Sequence, residues 1–492
     1  MKKFILSLAI LITMLNAGCS DNADSIIVDS EINDFIWKGL NSWYNWQANV
    51  PNLSDTKDDN VTDYSAFING FSEPEDLFYA LLYEYPNTDR FSWIVDDYIA
   101  LNNSFQGISV SFGMRLQGVT LRDGDNETDD DVILYVRYVA PDSPASIAGI
   151  SRGDIINALD GTIIKDSNYG NTISKLNNDT VTFSFVSENG GTLTPIEDKT
   201  ITAVELSEDP VHFKKVFDNV NGKKVGYLVY NGFRSSYNDE LNEAFAFFKA
   251  EGINELVLDL RLNGGGSVLT SAYLASMIYA NAATDVFAQL NFNQKHSNEN
   301  DHYNFENSLN IYNISGNKTG DEPINRLNTI ERLYVLASGS TASASEMIIN
   351  GLKAFIPVKV IGTTTYGKNV GSITLYDSPS SDFTSIASAD NSHLYAMQPI
   401  VFQIYNKLGQ SDYTQGFVPD IEVKEFEYWN NILPFGDENE VVLKASLDDI
   451  RGFSAKSQQT APYKNMKVLE VKPLENKFEK EMYLEQDHFQ KE

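Results

Sequence analysis

Apolar positions along this 492-residue chain change rhythm twice. From Asp29 to Leu101 they recur at mixed spacings of three and four, as in Phe35, Ile36, Leu40, Trp43 and Trp46, and again in EPEDLFYALLYEY. That spacing predicts helices packed through aromatic faces. From Gly107 to Leu206 short stretches alternate apolar and polar residues and predict strands, interrupted by the acidic run RDGDNETDDD, Arg122 to Asp131. Thr128 stands where a calcium loop starting at Asp123 needs glycine, so the run reads as a solvated hairpin tip. Beyond Leu206 strands alternate with helices: KVGYLVY, then NDELNEAFAFFKAEG, then NELVLDL ending in a glycine turn. Later come RLYVLAS, EMIINGLKAF and VKVIG. That order predicts a parallel sheet with helical crossovers. The Asn-rich stretch from about Leu290 to Asn328 has weak periodicity and reads as a loop or lid, and 453–492 as a charged tail.

Composition narrows the class. The chain carries 37 basic and 68 acidic residues, a formal charge of -31, which would repel nucleic acid. The start MKKFILSLAILITMLNAGCS combines a basic end, an apolar run too short to span a bilayer, and small residues before Cys19, the single cysteine. LNAGC resembles the cleavage box of bacterial lipoproteins, which implies a signal peptide over 1–18, a lipidated Cys19, a linker over 19–28, and a location in the bacterial cell envelope. The membrane face stays open, outer-membrane, periplasmic or surface-facing. With one cysteine, internal disulfides are excluded.

In VAPDSPASIAGISRGDIINALDGTII, Val139 to Ile164, a helix is predicted to start at Ser143-Pro144 and stop at Gly149, followed by a turn and a strand. These residues resemble the PDZ domains of bacterial proteases. The resemblance implies capture of a peptide C-terminus as an added strand, its carboxylate in the loop SFGMRLQ, Ser111 to Gln117. Gly113, Met114, Arg115 and Leu116 are the candidate contacts; Arg115 is either a counter-charge or a surface arginine.

Three segments share the edge where parallel strands end: the turn Asn263-Gly264-Gly265-Gly266, the helix start at Ser343, and the loop carrying Lys368. Ser343-Ala-Ser-Glu346 also fits a capping box, in which the serine merely closes a helix end. A capping serine needs neither glycine turn nor lysine, so the trio points to acyl-transfer chemistry. Ser343 would be the nucleophile, and Lys368 the base, which requires burial to bring an amine titrating near about 10.4 toward neutrality. The amides of Ala344 and Gly265 would bind the oxyanion. None of the five histidines sits in a recognisable triad motif, and Ser315-Gly-Asn-Lys318, an S-x-x-K match, lies in a polar loop.

DLRLNGGG, TASASE and TTYGK, with GFVPDIEV and LPFGDENEVVLKASLDDI after them, resemble the C-terminal processing (tail-specific) serine peptidases. The resemblance implies a multidomain α/β protein: an N-terminal helical region (29–103), a PDZ-like domain (104–206) and a crotonase-like (ClpP-like) αβ peptidase core (207–452). It implies a Ser343–Lys368 dyad, oxyanion donors at Gly265 and Ala344, and supporting roles for Glu346 and Thr365. Substrates would be proteins with exposed C-termini, no cofactor or metal would be needed, and self-association or an adaptor stays open. The family usually carries a glutamine four residues after the lysine; here Ser372 stands there. That departure leaves a runner-up: a peptidase-like protein that binds C-terminal peptides and turns over slowly or not at all.

Overall fold

The computed structural model describes residues 31–121, 129–279, 281, 285–453, 466–474, 478–485 and 488–489. The leader with Cys19, and positions 122–128 of the acidic run, lie outside them.

Helices Glu31–Trp43, Val61–Ile68, Pro74–Ala80 and Tyr98–Phe105 form the N-terminal region. Asp97 caps the last of them, its Oδ1 accepting from Ile99 N at 2.8 Å and Ala100 N at 3.1 Å. The aromatic positions do pack, but not into a separate core. Phe35, Leu40 and Trp43 share one cluster with Leu258, Val335 and Ile348 from the later α/β region. Gly39 makes this close approach feasible, since a Cβ there would stand 2.6 Å from Met397 Cε.

The 104–206 region is antiparallel: β1 (Met114–Leu121), β2 (Asp131–Val139), β3 (Ile155–Leu159), β4 (Thr180–Asn189) and β5 (Thr192–Thr202) lie side by side in that order. The expected helix is there, Pro144–Ile147, capped by Ser143 Oγ, which accepts from Ser146 N at 3.2 Å. Leu116, Val136, Ile156 and Phe183 give this region its own core.

The α/β region follows with β6 (Val211–Val220), β7 (Lys223–Tyr230), β8 (Glu255–Asp259), β9 (Gly266–Ser267) and β10 (Val286–Phe292). Next come β11 (Leu333–Ala337), β12 (Val358–Gly362), β13 (Val370–Ser372), β14 (Ile400–Asn406) and β15 (Ile421–Glu422). One sheet runs β6-β7-β8-β11-β12-β15, parallel from β7 onward. Every residue of β8 and β11 is buried, as a parallel strand covered on both faces requires. Helices Val268–Ile278 and Ala344–Leu352 cover one face, and Val441–Ile450 packs on the other.

Two expectations are corrected. The Asn-rich stretch is not a loop: β10 leads into it paired with β14, Gln289 opposite Tyr405, and a hairpin follows at Ser308–Tyr312 and Lys318–Pro323. Nor is the C-terminus a free charged tail. There β16 (Val468–Leu469) pairs with β1, and β17 (Met482–Tyr483) enters a second sheet between β9 and β13. The stretches there, VLEV with a glutamate inside it and MYL, are too short to show a period, yet Val471 and Met482 are buried.

A buried ionic network fixes the 104–206 region against the α/β region. Arg261 reaches Asp259 at 2.7 Å, Glu425 at 3.0 Å and Glu440 at 2.9 Å, while Arg137 and Arg152 of the antiparallel region also reach Glu425. Burial opposes ionising Glu425, and the three arginines overcome it, holding the carboxyl well below its ordinary range.

Candidate active site

Ser343 precedes helix Ala344–Leu352 with φ 62° and ψ -119°, a conformation costly for a residue with a Cβ, on the order of 1–3 kcal/mol. The surroundings hold it there. Glu346 Oε2 accepts from Ser343 N at 3.0 Å, and Asn263 O accepts from Ala342 N and from Ser345 Oγ. Only the return half of the capping box is therefore formed. Ser343 Oγ is buried and has no hydrogen-bond partner among the described residues, so the serine does not serve as a cap.

The same oxygen of Glu346 that holds Ser343 also accepts from Lys368 N at 2.8 Å, which makes the two segments neighbours. Its other oxygen accepts from Gly367 N at 2.8 Å and Thr365 Oγ1 at 2.5 Å, and Thr365 Oγ1 in turn accepts from Phe417 N. Burial pushes the Glu346 carboxyl up to about 7, with these donors acting in the opposite sense. Glu346 thus ties the Ser343 amide to the segment 365–368.

Lys368 is fully buried, and a carboxylate is buried with it. Nζ donates to Glu481 Oε2 and to Lys480 O, each at 2.9 Å, and not to Ser343. Ser372 does not hydrogen-bond to the amine either. Its Oγ donates to Glu481 Oε2 at 3.3 Å and to Met482 O at 3.2 Å, and accepts from Gln398 Nε2 at 3.0 Å. A glutamine absent at position 372 is thus present nearby from another strand, which no local motif reveals.

The glycine turn is corrected in detail. Gly265 lies against Ser343, since a Cβ on it would meet Ser343 Cβ at 2.7 Å and Ala344 N at 3.0 Å. Its own amide, however, donates to Asn263 Oδ1 at 2.9 Å, and the amide aimed at a peptide carbonyl is that of Gly266, 2.6 Å from Glu481 O. Asn263, itself held by Tyr230 O at 2.9 Å, sets the turn.

The N-terminal region reaches this site as well, through residues 90–93 between its third and fourth helices, although nothing in that stretch of sequence signals chemistry. Phe91 lies 5.4 Å beneath the Lys368 ammonium, Trp93 Nε1 donates to Glu481 Oε1 at 2.6 Å, and Arg90 donates to Tyr366 O at 3.1 Å. With Lys368 they border a cleft of about 440 Å³.

In the 104–206 region, Ser111 to Gln117 is mostly strand rather than loop, leaving only Phe112 and Gly113 between strands. Gly113 N donates to Ser111 Oγ at 3.1 Å and so is not open to a carboxylate. Met114 and Leu116 are buried in the core, and Arg115 pairs with Glu479 at 3.3 Å.

The histidines are engaged elsewhere. His212 sits between the rings of Tyr138 and Phe435, and burial lowers its pKa to about 4. His296 comes 2.9 Å from Ser42 Oγ and 3.6 Å from Asp382, but both approach the same nitrogen, Nε2, which is not a relay through the ring. Ser315 lies in the hairpin connection, and Lys318 pairs with Asp321. Among the described residues no group of three or more His, Cys, Asp or Glu side chains is placed to hold a metal ion.

The sequence model of peptidase family S41 matches residues 224–423, and that of the peptidase S41 N-terminal domain matches 31–93, together more than half of the chain. The chain belongs to peptidase family S41.

This S41 chain is 26% identical over 269 residues to the carboxyl-terminal-processing protease of Picosynechococcus sp., covering 54% of this chain and 58% of that protein. It is 26% identical over 272 residues to the chloroplastic carboxyl-terminal-processing peptidase 2 of Arabidopsis thaliana, covering 55% and 47% respectively. It thus spans about half the length of these curated relatives. The solved structure of a protein from Bacteroides fragilis NCTC 9343, assigned to the S41 proteases, shares the mixed α/β fold with a TM-score of 0.64 at 28% identity. That alignment covers 85% of this chain and 97% of the other. Both S41 matches include site residues, since Phe91 and Trp93 fall in the N-terminal one and Ser343 and Lys368 in the other.

Proposed function

We propose that this chain is a serine endopeptidase of the C-terminal processing type, cutting peptide bonds with a Ser343–Lys368 dyad. The observation that carries the reading is the buried, unpartnered Ser343 hydroxyl on a positive-φ turn, tied through one Glu346 oxygen to the segment that bears a buried lysine. The α/β region acts as a crotonase-like core, and 104–206 as a PDZ-like domain that captures an apolar protein tail by strand addition along β1.

In the reaction, Ser343 Oγ attacks the scissile carbonyl carbon while neutral Lys368 Nζ takes the hydroxyl proton. The oxyanion is met by the Ala344 amide at the positive helix end and by an amide of the glycine turn, where Gly266 is already aimed at a carbonyl. Collapse breaks the C–N bond, and the lysine returns the proton to the leaving amine. Water then repeats the sequence on the acyl-serine. Glu346 and Thr365 position both segments, while Ser372 and Gln398 orient what faces the lysine.

The binding-only reading has one observation in its favour, the engagement of Lys368 with Glu481 in place of Ser343. Ser343→Ala and Lys368→Ala should each lower cleavage of an unstructured, apolar-tailed peptide by on the order of 10⁴-fold. A chelator should change nothing. Activity that survives both substitutions overturns the dyad.

With the lipoprotein-type leader, the protein would be anchored through Cys19 in the bacterial cell envelope and act on protein substrates there. Metabolic labelling with a fatty-acid probe, lost in Cys19→Ala, tests this.

A further inference from the structure

We propose that β1 and the gap between β9 and β13 are two peptide-binding stretches, whose resident ligand is this chain's own C-terminal segment, residues 467–474 and 478–485, held as a tethered inhibitor. The proposal rests on the peptidase reading above for its consequence, but its geometry stands apart from catalysis.

The first contact is strand addition. Val468 lies opposite Val119 and Leu469 opposite Gly118, antiparallel, so the segment runs toward Gly113 as its residue numbers rise. Thr120 N donates to Lys467 O at 3.0 Å, Gln117 Nε2 to Leu469 O at 2.7 Å, and Arg115 Nη1 to Leu474 O at 2.6 Å. Tyr169 OH closes the other side on Glu470 O at 2.7 Å. Leu469 and Val471 sink into the apolar cluster that contains Leu116 and Leu176. Two of the residues read from the sequence as peptide contacts, Arg115 and Leu116, are thus occupied by the chain itself.

The second contact covers the candidate chemistry. Met482 and Tyr483 pair with Gly266 and Ser267 on one side, and Tyr483 pairs with Ser372 on the other. Side chains added at Gly264 or Gly265 would strike the carbonyls of Glu479 and Glu481. The bare turn leaves room for a peptide backbone, and the segment fills it. Gly266 N holds the Glu481 carbonyl, while the Glu481 carboxylate holds the Lys368 ammonium and the Trp93 indole. A lysine whose Nζ is turned to this carboxylate and to Lys480 O is not turned to the Ser343 hydroxyl. One residue therefore occupies a carbonyl-binding amide and engages the lysine amine, which is the chemistry of an inhibitor rather than of a substrate poised for cleavage.

A tethered ligand competes at an effective concentration on the order of millimolar. A free peptide of the same sequence that binds the empty stretches with a Kd of about 10 μM should therefore bind the occupied chain about a hundredfold more weakly. The test uses a fluorescent synthetic peptide spanning 467–485 and fluorescence anisotropy, with full-length Ser343→Ala chain so that no cleavage intervenes. The comparison is the same chain carrying Val471→Asp and Glu481→Lys, which place charge in the apolar groove and repel Lys368. The expected result is tight binding to the released chain and about a hundredfold weaker binding to the parent. Equal affinity for both, or no binding to a released chain that melts cooperatively, overturns the proposal and shows the segment to be a fixed wall of the site. Should the double substitution abolish the cooperative melt, Glu481→Gln alone should still tighten binding about tenfold, and no change overturns the proposal. Restoring Ser343 gives a separate readout. A released chain that binds the peptide but cleaves nothing sinks the peptidase reading and leaves the occupied stretches standing.

Discussion

Arg261 and Lys368 are both buried cations facing carboxylates from distant parts of the sequence, yet their surroundings differ. Arg261 meets Asp259, Glu425 and Glu440 at once, and Glu425 is shared by two further arginines. Lys368 meets one carboxylate, Glu481, and one carbonyl, beside an open cleft. A many-membered buried network cannot lose one partner without stranding the rest in a low-dielectric interior. A single pair whose carboxylate sits just ahead of a two-residue strand can part with far less disturbance. The difference separates a joint that sets domain orientation from a contact that can open.

The comparison is broken most strongly at the network. Arg261→Met should remove about 3–5 kcal/mol of stability, because three buried carboxylates lose their shared cation. Denaturant unfolding at neutral pH measures this, and a loss under about 1 kcal/mol would make the network decorative.

A smaller effect lies at Glu346, whose sign is opposite to that of Glu425. Between its ordinary value of 4.5 and about 7, folded Glu346 keeps a proton that the unfolded chain has released. Its contribution is whole below 4.5 and is lost as the pH rises through 7. The stability difference between the native chain and Glu346→Gln should therefore shrink by about 2–3 kcal/mol from pH 4.5 to pH 8. Glu425, held low, should show no such change in that window, and parallel pH profiles for the two sites would contradict the assignment.

The smallest effect belongs to the openable pair. Glu481→Gln should cost no more than about 1–2 kcal/mol, since an amide oxygen can still accept from Lys368. It should also raise kcat/KM on an apolar-tailed peptide about tenfold, as the charged partner of the base is gone. A fall in kcat/KM with unchanged folding would show that Glu481 completes the site.

The parallel sheet, the crossover helices and the positions of Ser343, Glu346, Thr365 and Lys368 were legible because each sits in a motif with its own local signal: a buried run, a glycine turn, a helix start. The rest depended on contacts distant in sequence. Gln398, Trp93 and Glu481 come from three separate stretches of the chain, and nothing near them in sequence marks them as meeting around Ser372 and Lys368. Gly265 lies beside Ser343, but its amide, expected to be an oxyanion donor, is taken by Asn263 through a side-chain hydrogen bond that spacing does not encode. The tail is not legible because three apolar residues broken by Glu470 between two lysines look solvated until a groove is there to receive them.

The central claim is that Ser343 performs the chemistry. Its most direct measurement is hydrolysis of an apolar-tailed peptide by the Glu481→Gln chain, with and without Ser343→Ala. The account predicts robust cleavage in the first and a loss on the order of 10⁴-fold in the second. Equal rates in the two would contradict it.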